Sequence, residues 1–161
     1  MKLNLGCGLD IKKGFVNVDI GYFNQEIRHD LNVFPYPFKD KTFTYVLMNH
    51  SIEHLKEPVK VMQEIHRVCK KGARIDIVVP YFSSPNMWSD PTHETCFNWH
   101  TFERFSGFKI LKRELFFLSN IKSKHRSRCI DALININPLL YQRFLCYILP
   151  CSELSVLLET Q

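Results

Sequence analysis

Paired cysteines are missing from this chain. Its six cysteines (Cys7, Cys69, Cys96, Cys129, Cys146 and Cys151) include no C-x-x-C, so it holds none of the paired-cysteine metal or redox motifs. Long apolar runs are missing too, since no uninterrupted stretch reaches the roughly 20 residues of a membrane-spanning helix. No signal-peptide pattern precedes the first predicted strand. These absences predict a cytoplasmic protein with reduced thiols and no membrane span. Charge of one sign is scarce, at +5 overall, a modest excess whose distribution says more than its size. What remains is an ordinary globular composition, 45% hydrophobic and 23% charged over 161 residues. It predicts one domain over 1–161 with a real core.

Glycine is also sparse, at six, yet three of the six fall within KLNLGCGLDIKKGFVNVD, Lys2 to Asp19. The stretch reads as a buried strand (Leu3 to Leu5), a turn (Gly6, Cys7, Gly8), a short crossover and a second strand (Phe15 to Val18) that ends on Asp19. Two glycines flanking one small residue let the main chain turn sharply and let a ligand approach where a Cβ would block it. An acid closing the next strand is placed to accept hydrogen bonds from two ribose hydroxyls. A dinucleotide fingerprint would need a third glycine three residues after the second, where this chain has Ile11, and the crossover from Leu9 to Gly14 has room for about one helical turn. A pyrophosphate cradle is therefore not expected. S-adenosylmethionine has no phosphate and needs only the turn and the ribose acid.

From these residues the chain resembles the class I S-adenosylmethionine-dependent methyltransferases. It is most similar to short bacterial and archaeal members of the type 11-like group, whose first motif reads LNLGCG and second strand FVNVD. The stretches HDLNVFPYPFKDKTFTYVLMNHSIEHL, EIHRVCKKGARIDIVVPYF, DPTHETCFNWHTFERF and LPCSELSVLLET extend the resemblance over nearly the whole chain. It implies a Rossmann-like three-layer α/β sandwich with a mainly parallel sheet, order 3-2-1-4-5-7-6, last strand antiparallel. It also implies S-adenosyl-L-methionine as cofactor and S-adenosyl-L-homocysteine as product. Leu5, Gly6, Cys7 and Gly8 would hold it at the turn, Asp19 and Ile20 at the ribose, and Asp30 and Leu31 at the base. Two departures stand out. The chain starts almost on its first strand, without the helix that often covers the cofactor, so the site is expected to be open or completed by a second copy in a homodimer. Asn4 stands where many relatives have an acid.

Farther along, Glu26 to Leu31 predicts a third strand, and FPYPFKD, with Pro35 and Pro37, predicts an extended segment. Thr42 to Met48 predicts a fourth strand covered on both faces. Asn49, at its carboxyl end, is placed to wall the methionine part of the cofactor. His50-Ser-Ile-Glu-His54 also fits the H-x-x-E-H zinc signature, in which His50 and His54 share a metal and Glu53 is the base. The strand running directly into His50 argues against that reading, and no metal is expected. Pro58 to Lys71 predicts a helix with Val59, Met62, Ile65, His66 and Cys69 at helical spacing, stopped by Gly72. Ala73 to Val79 predicts the fifth strand.

Ser83 to Ser106 is a long insertion mixing aromatics with Asp90, His93, Glu94 and His100, and is expected to form the acceptor pocket and lid. Phe108 to Leu118 predicts the sixth strand, Pro138 to Leu149 a helix packed on the sheet, and Leu154 to Leu158 the last strand. Seven basic residues lie between Lys109 and Arg128 against the single Glu114. They are a solvated face or attract an anionic acceptor, with RNA ranked lower. The function expected is methyl transfer to a small molecule, glycan or lipid precursor. An oxygen acceptor would need a base, for which His50, His54 and His93 are the candidates because imidazole titrates near neutrality. The other readings are a catalytically inactive S-adenosylmethionine-binding relative and the zinc hydrolase.

Overall fold

The computed structural model describes residues 1–117 and 128–161. All seven strands form one sheet in the order β3-β2-β1-β4-β5-β7-β6. They are β1 (Lys2–Leu5), β2 (Val16–Asp19), β3 (Ile27–Arg28), β4 (Phe43–Asn49), β5 (Cys69–Pro80), β6 (Phe108–Phe116) and β7 (Glu153–Thr160). Neighbours from β3 to β5 pair in parallel, while β7 runs antiparallel to both β5 and β6. The arrangement is the Rossmann-like methyltransferase sheet expected from the sequence. Its core centres on Leu3, Leu5, Val46, Met48, Ile75, Ile77, Leu154 and Val156, all fully buried. Apolar and β-branched residues at these positions suit strands covered on both faces.

The crossover from β1 to β2 contains no helix, and two buried amides do the work of one. Asn4 donates to the Asp10 carbonyl at 3.0 Å and to Asn17 Oδ1 at 2.9 Å. Asn17 in turn accepts from the Lys12 amide at 2.9 Å and donates to the Lys12 carbonyl at 3.0 Å. These bonds pair polar groups that would otherwise be costly to bury. Asn4 is therefore spent inside the crossover. The third strand is two residues long, not the six expected.

Helix α1 (Pro58–Val68) begins with proline in its first turn, as expected, but ends three residues early, at an extended Cys69. Its buried stripe is Val61, Met62, Ile65 and Val68. Val59 is exposed, and His66 packs edge-on against Phe108. Gly72, expected to stop this helix, sits at φ +77° inside β5, where the register against β4 jumps from Phe43↔Cys69 to Tyr45↔Arg74. It is a bulge, the other common use of a glycine with positive φ. Thr160 Oγ1 bridges it, accepting from the Ala73 amide at 2.9 Å and donating to the Lys70 carbonyl at 2.6 Å.

The insertion after β5 contains α2 (Pro85–Ser89) and a 3-10 turn, Thr101–Arg104. Its Phe97, Phe102 and Phe105 are core residues. Beyond β6 come α3 (Arg128–Ile136) and α4 (Pro138–Leu140), and α4 widens into a π-helical turn over Tyr141–Leu145. The wide turn adds one residue to the repeat, so the buried positions become Tyr141 and Cys146. Phe144, Leu145 and Ile148, expected on the sheet, are 61%, 47% and 80% exposed. Of the basic run, Lys122, Lys124 and Arg126 lie outside the described residues. Within it, Arg113 pairs with Glu103 at 2.7 Å and Lys112 with Glu114 at 2.8 Å. No described helix is long and apolar enough to cross a membrane.

Candidate functional site

At the carboxyl end of β1 the chain turns through Gly6 and Gly8, at φ +67° and +48°. The two glycines have different reasons. A Cβ on Gly6 would lie 2.3 Å from Ser51 Cβ, so the turn is tight there because the chain packs against itself. A Cβ on Gly8 would meet nothing within 4 Å. The open approach the sequence suggested for the turn thus belongs to Gly8 alone.

The amides of the turn are already engaged. Those of Gly6 and Cys7 donate to the Val18 carbonyl at 2.9 and 3.1 Å, and that of Gly8 donates to Asp19 Oδ2 at 2.8 Å. Asp19 Oδ1 accepts from the Gly21 amide at 2.9 Å. A phosphate would need such amides free, so this turn is not a pyrophosphate cradle. The two backbone donors orient the Asp19 carboxylate, and each of its oxygens keeps a lone pair for a further donor.

A cavity of about 390 Å³ opens beside the turn, within the range of small-ligand sites. Gly6, Gly8, Asp19, Ile20, Asp30 and Leu31 line it, as do His50 and His54. Leu5, Cys7 and Asn49 do not. Leu5 is fully in the core, and burial pushes the Cys7 thiol up to about 11, with the Asp19 charge adding to it. Sequence reasoning missed His29, Asn32, Ser51 and Leu55 as wall residues. Asn32 caps Asp30, its amide reaching Asp30 Oδ1 at 2.9 Å, while its own Oδ1 accepts from the Lys56 amide at 2.9 Å. The Asp-x-Asn spacing was the available signal. No residue of the 83–106 insertion lines this cavity, and the insertion approaches it only where His93 packs against His54.

His50 follows β4 directly, at φ +50°. Its Nε2 lies 3.0 Å from Glu153 Oε1 and its Nδ1 3.3 Å from Glu53 Oε1. Burial opposes a charge here, but the hydrogen bond to Glu153 and the ion pair with Glu53 outweigh it and lift the imidazole to about 9. His50 is therefore an imidazolium at neutral pH with both nitrogens occupied, and the expectation that it serves as a base does not fit this geometry. The H-x-x-E-H reading fails for the same reason, and because only Ile52–His54 are helical, as a 3-10 turn. His54 and His93 are brought together, their ring centroids 4.7 Å apart.

The comparisons with known proteins agree with this geometry. Residues 4–77, which contain every cavity residue, match the family model described as a methyltransferase domain. No curated protein matches the sequence. A SAM-dependent methyltransferase from Archaeoglobus fulgidus is similar at 22% identity and TM-score 0.69, over 99% of this chain and 85% of that one. An S-adenosylmethionine-dependent methyltransferase from Mesorhizobium loti gives 13% and 0.66, over 98% and 89%. A methyltransferase of Haloferax volcanii, solved with the Trm112 methyltransferase activator, gives 13% and 0.65, over 99% and 81%. Residues 4–77 are thus similar to a methyltransferase domain, and the whole chain shares the fold of these S-adenosylmethionine-dependent enzymes.

S-adenosyl-L-methionine is the cofactor named for the first two of these structures, and the cavity residues of this chain fit it. The occupied turn amides suit a ligand without phosphate, and the Asp19 carboxylate is held ready for hydroxyl donors. Asn4, by contrast, is 3% exposed with its amide committed to the crossover. None of the described cavity-lining residues is Lys or Arg, and His50 supplies a positive charge on this wall.

Proposed function

We propose that residues 1–161 act as one domain that transfers a methyl group from S-adenosylmethionine to a small-molecule, glycan or lipid-precursor acceptor. The observation that carries this reading is that the open side of Gly8 and the Asp19 carboxylate share one cavity. In the proposal Asp19 accepts the two ribose hydroxyls, Ile20 packs on the ribose, and Asp30 and Leu31 hold the base. Leu5, Cys7 and Asn49 act only by shaping the main chain behind the wall. The bound cofactor supplies a methyl on a sulfonium, already activated and leaving a neutral thioether, so positioning the acceptor in line can supply much of the rate.

His50 holds a fixed positive charge in the wall, and His54 with His93 forms the acceptor end. A lining without Lys or Arg favours an acceptor that does not depend on strong anionic character, and the basic residues of β6 stand at the opposite edge of the sheet. Calorimetry with S-adenosylhomocysteine tests the cofactor reading. Binding to the full chain supports it, and unchanged affinity in Asp19→Ala refutes the ribose assignment. Methyl incorporation into sugars, lipid intermediates and RNA then ranks the acceptors, and incorporation into RNA alone would overturn the acceptor class.

A further inference from the structure

We propose that Glu53, His54 and His93 bind a divalent transition-metal ion at the edge of the cofactor cavity. One ligand atom from each lies within 4.8 Å of the others. Glu53 is fully buried, and neither of its carboxylate oxygens has a hydrogen-bond partner among the described residues. Its approach to His50 Nδ1 at 3.3 Å is an ion pair rather than a well-formed hydrogen bond. The His50 imidazolium faces Oε1 only, so the buried Oε2 is left bare and calls for a further cation or donor.

The two imidazoles are oriented to provide the rest. His93 Nδ1 lies 2.8 Å from the Met87 carbonyl, which can only accept, so Nδ1 carries the hydrogen and Nε2 is the nitrogen with a free lone pair in the neutral ring. His54 Nδ1 lies 2.9 Å from Thr92 Oγ1. That hydroxyl donates its own hydrogen to Asp90 Oδ1 at 2.7 Å, so His54 must donate to it, and again Nε2 is left. Metal-bound histidines are held in this way, the far nitrogen donating to a carbonyl or a hydroxyl–carboxylate relay.

The backbone fixes the meeting point. The Glu53 carbonyl accepts from the Glu94 and Thr95 amides at 2.8 and 3.1 Å, pinning the loop that carries His93 over the turn that carries His54. Two imidazoles and one carboxylate suit Zn²⁺, Co²⁺ or Mn²⁺. Bonds of about 2.1 Å bring ligands to about 3.4 Å apart around a tetrahedral ion, so binding would draw the three ligand atoms inward from within 4.8 Å of one another. This set is not the H-x-x-E-H set, because His93 takes the place of His50.

Three protein ligands leave at least one coordination position open. His54 also lines the cavity, so on the methyltransferase reading, on which this part rests, the open position takes an acceptor hydroxyl. Coordination lowers the pKa of that hydroxyl. Its proton goes to water, the oxygen forms a bond to the methyl carbon, and the electron pair of the broken carbon–sulfur bond stays on sulfur.

The test is equilibrium dialysis of the chelator-treated full chain against CoCl₂ and ZnCl₂, with metal analysis, the visible spectrum of the cobalt form, and S-adenosylhomocysteine calorimetry in parallel. One equivalent is expected at micromolar metal, weakened at least tenfold in His93→Asn and in Glu53→Gln. His93→Asn decides should Glu53→Gln fail to fold, as read by circular dichroism. No binding below millimolar metal, or equal binding by wild type and His93→Asn, overturns the site. Nucleoside binding without metal binding leaves the methyltransferase reading standing and removes this one, and metal binding without nucleoside binding does the reverse.

Discussion

The turn at Gly6–Gly8 and the corner at Glu53, His54 and His93 meet the same cavity, the corner through His54, but are built in opposite ways. The turn is made of main chain. Its parts are close in sequence, its donors are all paired, and Asp19 reaches it from the adjacent strand. The corner is made of side chains some 40 residues apart, brought together by a backbone carbonyl, with one oxygen of a buried carboxyl group left bare. The difference separates a part of the site that the fold completes from a part whose electrostatics call for another group.

That contrast can be broken from the turn side first. Gly6→Ala combines a strained positive φ with a Cβ driven onto Ser51, and is expected to cost about 4 kcal/mol of stability in urea unfolding. Ser51→Gly in the same chain should return more than half of that loss. Failure to do so would show that the collision is not the cause.

His50 comes next, linking the two regions through its contacts with Glu53 and Glu153. Its folded value of about 9 lies above the unfolded 6.5. Its contribution is therefore complete below about pH 6.5 and is lost as pH rises through 9, about 3 kcal/mol in all. Urea midpoints of the chelator-treated protein between pH 6 and 10 should show this slope, and His50→Ala should flatten it.

Asp19→Ala should cost about 100-fold in S-adenosylhomocysteine affinity, or about 2.7 kcal/mol, by calorimetry. It should leave cobalt binding unchanged. Thr92→Val has the smallest effect, since it removes the hydroxyl that orients His54 without touching the turn. It should weaken cobalt about tenfold and leave nucleoside affinity unchanged.

The legibility of the chain follows the same division. The strand, turn and acid of Lys2–Asp19 could be read from the residues because every relation in it is local, and the sheet order followed from the family resemblance. Gly72 was misread because a helix stop and a strand bulge both need positive φ. Only the partner strand's register and Thr160 distinguish them, and both are distant in sequence. The π-turn at Tyr141–Leu145 shifted an otherwise regular apolar spacing by one residue, which periodicity cannot reveal. His50 was expected to titrate near neutrality, since nothing local indicates that Glu153, 103 residues away, would hold its proton. His54 and His93 were each singled out as candidate bases, but their contact became visible only in three dimensions.

The insertion of β7 between β5 and β6 also sets the order in which the molecule can be assembled. The strand that enters last in sequence occupies an interior place, and its Thr160 staples the bulge of β5. On the ribosome, β5 and β6 must wait with bare edges until residues 153–160 emerge. Unpaired edges of that kind are where chains stick to one another, so aggregation during synthesis should concentrate in that interval.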